Sequence, residues 1–179
     1  MHHEDPRIRS GWLVEGFRGP EDDDRIRAWR KAHPEFVRWT HDWFSVECST
    51  DFIADDCDPA CGGGSALIFR THATAEKYGA RDAAIASGVR TIKPVLYVDG
   101  SLFRAPEVAR EEWLARRKEI CAAIAGRPGC GVFERSLVLY APKTDEGTNE
   151  LHGALRRLDE LQAWAHEQEK RFVEEAEGN

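Results

Sequence analysis

The carboxy-terminal third of the sequence carries the pattern that most restricts its fold. Leu151, Leu158, Ala165 and Phe172 recur at intervals of seven, with Ala154 and Leu161 at the companion position. That spacing gathers side chains on one stripe of an α-helix and predicts a long helix from about Asn149 to Glu174. Gln168 and Glu175 interrupt the companion row beyond Leu161. The first half is therefore expected to pack into a core, and the charged second half to project as an arm or join a partner helix. A homodimer through this helix is one candidate assembly.

The rest of the chain reads as an alternation of strands and helices. Trp12 to Phe17, bounded by Gly11 and by Gly19-Pro20, has the composition of a strand. Pro20 and the acids Glu21 to Asp24 suit the first turn of a helix that should stop at His33, before Pro34. The segment from Phe36 to Val46 fits either periodicity, and Pro34 tips it towards helix. Ala66 to Phe69 reads as a strand and Thr74 to Ser87 as a helix closed by Gly88. Pro94 to Val98, Asp99-Gly100 and Ser101 to Phe103 together predict a two-residue hairpin, because Asp-Gly suits a type I′ turn. A helix of about five turns is expected from Pro106 to Gly126, with Trp113, Ile120 and Ile124 on one side. Arg127-Pro128-Gly129 then turns the chain into one further strand, Val132 to Tyr140, broken near Glu134 and Arg135 and closed by Pro142. These elements predict a single α+β domain over residues 1–179, with a mixed, largely antiparallel sheet of about four to five strands flanked by helices.

With 41% hydrophobic and 32% charged residues the chain lies outside the composition of disordered proteins. A formal charge of −7 disfavours nucleic acid as a partner, since a polyanion would be repelled. No run of 18 apolar residues occurs and the first residues are His2, His3, Glu4 and Asp5, so neither membrane insertion nor secretion is expected. Five cysteines is an odd count, without the dense even spacing of a disulfide scaffold. A cytoplasmic location follows as the expectation.

The candidate chemistry is concentrated between residues 39 and 64. Residues 48–64 form a long acidic loop containing Cys48, Cys57, Cys61 and the run Gly62-Gly63-Gly64. Cys48, Cys57 and Cys61, with His41 nearby, are thiolate and imidazole donors of the kind zinc prefers, and Cys130 or Cys121 could supply the fourth position in place of His41. Zinc is therefore the candidate cofactor, although Cys57 and Cys61 are separated by three residues where a knuckle has two. Asp51, Asp55, Asp56 and Asp58 lack the alternating ligands of a calcium loop, and the glycine run precedes a strand and lacks a P-loop lysine. His72-Ala73-Thr74 has the His-x-Thr form of two-motif phosphodiesterases, but the second copy is missing. No Gly-x-Ser-x-Gly elbow occurs. Cysteine nucleophiles at Cys48 or Cys61 would need His41, His72 or His152 as base. Arg104, Arg110, Arg116, Arg117 and Lys118 interleave with Glu107, Glu111, Glu112 and Glu119, and Glu112 to Arg116 has helical ion-pair spacing.

Six tryptophans are many for this length, and Trp39 and Trp43 precede the acidic loop. An exposed tryptophan beside charged residues is a typical interface anchor. The favoured reading is a small binding or regulatory protein that offers Trp39, Trp43, Asp55, Asp56 and Asp58 to a protein partner. The alternative is a zinc enzyme or zinc-stabilised domain centred on residues 41–61.

Overall fold

A computed structural model describes residues 5–15, 20–33, 66–79, 91–133 and 137–178. Five strands form one sheet: β1 (Ile8–Glu15), β2 (Ala66–Phe69), β3 (Ile92–Asp99), β4 (Gly131–Phe133) and β5 (Val138–Pro142), in the order β2-β1-β3-β5-β4. The described helices are α1 (Pro20–Ala32), α2 (His72–Gly79), α3 (Arg110–Ala125) and α4 (Asp145–Glu177). The expected α+β class, with a five-stranded sheet and a long last helix, is what the chain adopts. It groups into two compact units, residues 10–95 and residues 1–9 with 96–179.

In the first unit β1 and β2 pair antiparallel, with Trp12 opposite Phe69 and Val14 opposite Leu67. Leu13, Val14, Ile68 and Phe69 are all buried, so both faces are covered here. The strand begins four residues earlier than its aromatic core suggests, and Gly11 lies inside it and is buried. Helix α1 starts at Pro20 and ends before Pro34, as expected. His33 stacks on Trp29 at 4.2 Å and its Nδ1 donates to the Trp29 carbonyl at 2.9 Å. That bond satisfies one of the carbonyls left open at a helix end.

The second unit holds a core formed by β5, α3, α4 and the end of β3. Trp113, Ile120 and Ile124 of α3 meet Leu151, Leu155, Leu158 and Leu161 of α4 over Val98 and Leu139. Each fully buried leucine contributes about 1.5–3 kcal/mol relative to exposure. Helix α4 starts at Asp145, earlier than the heptad pattern alone suggests. Thr144 caps it, its Oγ1 accepting from the Gly147 amide at 3.0 Å, and Asp145 and Glu146 occupy the first turn. Gly147 is buried against the Pro142 backbone, where a Cβ would sit 2.9 Å from the carbonyl carbon. Glycine at 147 thus permits the first turn of α4 to approach the end of β5 closely.

Three expectations are overturned. Asp99-Gly100 is not a hairpin turn: Gly100 to Leu102 form a single 3₁₀ turn and no strand follows in residues 103–106. Gly100 is required because its amide donates to the Leu137 carbonyl at 2.7 Å, and a Cβ would lie 2.5 Å from the Leu137 Cγ. Close approach, not positive φ, selects the glycine. The strand predicted as one broken piece is two, β4 and β5, paired antiparallel with Gly131 opposite Tyr140 and Phe133 opposite Val138. The charged pair Glu134 and Arg135 lies outside the described residues, between two strands that run in opposite directions. Helix α3 starts at Arg110 instead of Pro106, because Ala109 adopts a left-handed conformation with φ 55° that no right-handed helix can include.

Candidate functional site

Most residues singled out from the sequence lie outside the described residues: Trp39, His41, Trp43, Cys48, Asp55, Asp56, Cys57, Asp58 and Cys61. Two proposed zinc partners are described. Cys121 is half-buried in α3, and Cys130 is half-buried just before β4. Burial, with Glu150 and Glu146 nearby, pushes the Cys130 thiol above its ordinary range, with Arg127 acting weakly against them. Its thiolate is therefore scarce at neutral pH, which weakens it as a ligand or nucleophile. Among the described residues no three His, Cys, Asp or Glu side chains gather to hold a metal ion.

His72 sits at the start of α2, with the Trp12 ring 4.2 Å away and tilted against it and Glu76 at 3.5 Å from its Nδ1. An aromatic neighbour and a carboxylate one turn away give the imidazole a structural setting. His152 lies in α4, half-buried, with a buried Nε2 that has no hydrogen-bond partner.

Among the described residues, one arginine bridges two carboxylates and joins residues 5 and 7 to α4. Arg7 donates to Asp5 through Nε at 3.0 Å and Nη2 at 2.7 Å, and to Asp159 through Nη1 at 2.7 Å and Nη2 at 3.0 Å. Its guanidinium lies 5.9 Å above the Phe103 ring. Bidentate pairing of this kind is stronger than a point contact. Hydrogen bonding from the Arg7 side chain holds the Asp5 carboxyl down at about 2, from an ordinary 3.8, against the opposing effect of burial. The Asp159 and Asp5 carboxylates in turn push the Arg7 guanidinium further up. With every guanidinium edge engaged, this cluster fastens structure and leaves little for a ligand.

The outer faces of α3 and α4 present more open chemistry. Arg116 pairs with Glu112 at 2.6 Å, the helical spacing anticipated from sequence, and its guanidinium lies 4.2 Å above the Trp164 ring. Between the helices a groove of about 280 Å³ is lined by Arg116, Glu119, Arg157 and Glu160 over Ile120 and Leu161. Further along α4 the apolar stripe continues past the buried Ala165 into solvent: Phe172 is 57% and Val173 51% exposed. Six glutamates and only two cations, Lys170 and Arg171, lie between residues 160 and 177. Lys170 pairs with Glu174 at 3.9 Å and Arg171 with Glu167 at 3.4 Å. The end of α4 is thus an acidic helical surface with an aromatic and a branched apolar side chain bare on it.

Comparison with family profiles, curated proteins and solved structures finds no match to this chain. Among the described residues no helix is long and apolar enough to cross a membrane.

Proposed function

We propose that this is a small binding or regulatory protein that offers an acidic, aromatic-flanked surface to a macromolecular partner, a protein in the first instance, in the cytoplasm. The observation that carries the reading is the exposure of Phe172 and Val173 among glutamates at the end of α4. Large apolar side chains left bare beside like charges suit an interface whose apolar centre supplies affinity and whose charged rim selects the partner. Trp39, Trp43, Asp55, Asp56 and Asp58 have the same chemistry and belong to the proposal as a second patch. The odd cysteine count and the thiol form of Cys130 agree with a reducing compartment.

The test is affinity capture with the purified chain, with a Phe172→Ser/Val173→Ser variant and with an Asp55→Asn/Asp56→Asn/Asp58→Asn variant in parallel. A partner retained by the parent, weakened by salt and lost by at least one folded variant supports the proposal. Equal retention by all three overturns it. Native mass spectrometry of chain purified without chelator completes the test: one zinc per chain would move the reading to the donors His41, Cys48, Cys57 and Cys61.

A further inference from the structure

No further inference is drawn: the strongest candidate, the groove between α3 and α4, sets Arg116 and Arg157 against Glu119 and Glu160 over an apolar floor, and nothing in the structure shows what covers it.

Discussion

The two halves of α4 obey one periodicity and meet opposite fates. From Leu151 to Ala165 every position of the seven-residue series is buried, whereas Phe172, the next member, is more than half exposed. The sequence pattern is therefore a statement about which residues share a face, not about what that face meets. Packing decides the second matter: α3 and β5 lie against the first half, and the second half continues on its own hydrogen bonds and short-range ion pairs. Those pairs contribute only about 0.3–0.5 kcal/mol each. Stability should accordingly be concentrated in the first half and partner recognition in the second.

The largest effect that could break this contrast is at the packed end. Leu158→Ala removes a side chain that is 1% exposed, and should cost about 2–5 kcal/mol in chemical denaturation. A loss below 1 kcal/mol would mean that this face is not core. Next comes Gly147→Val, which drives a branched side chain into the Pro142 backbone and should cost about 1–3 kcal/mol, read as a lowered melting temperature.

The Arg7 clamp sharpens the contrast through pH. Asp5 is held at about 2 when folded and 3.8 is its ordinary value, so its contribution is complete above about pH 4 and is lost as pH falls towards 2. Arg7→Gln should flatten that acid limb by about 1–2 kcal/mol, after allowance for solvent screening, in denaturation curves taken from pH 5 to 2. An unchanged limb would show that Asp5 is not held by Arg7. Thr144→Ala removes the cap of α4 and should cost about 1 kcal/mol. The smallest effect belongs to Phe172→Ser, within about 0.5 kcal/mol of the parent, because little is removed from a packed environment. A larger loss would place Phe172 in a core and undercut its proposed role.

Local rules read well where local physics decides. Pro20 opens α1 because its fixed φ suits a first helical turn, and α1 and α3 end where Pro34 and Gly126 in the sequence suggest, although Gly126 itself keeps a right-handed φ of −76°. Ala66 to Phe69 emerges as a strand with the bounds its composition suggests. The same rules fail where a distant residue decides. Gly100 is chosen by Leu137, and Ala109 carries no signal of its left-handed turn. The site divides the same way. Glu112 and Arg116 announce their pairing by spacing, whereas Arg7 and Asp159 are 152 residues apart and no pattern couples them. The exposure of Phe172 was half legible, since Gln168 and Glu175 already weakened the seam beyond Leu161. The segments expected between Phe36 and Gly64, and from 80 to Gly88, lie outside the described residues.

The contact between Gly100 and Leu137 has a consequence for how this sequence can change over generations. Leu137 holds a left-handed φ of 51°, a conformation glycine or asparagine would adopt more readily, while its side chain and carbonyl occupy the space a Cβ on residue 100 would need. The carbonyl belongs to the backbone and remains whatever side chain stands at 137, so a substitution there does not by itself admit a larger residue 100. A lineage can vary position 137 and still find position 100 closed, so the path of the main chain, more than any side chain, keeps this glycine in place.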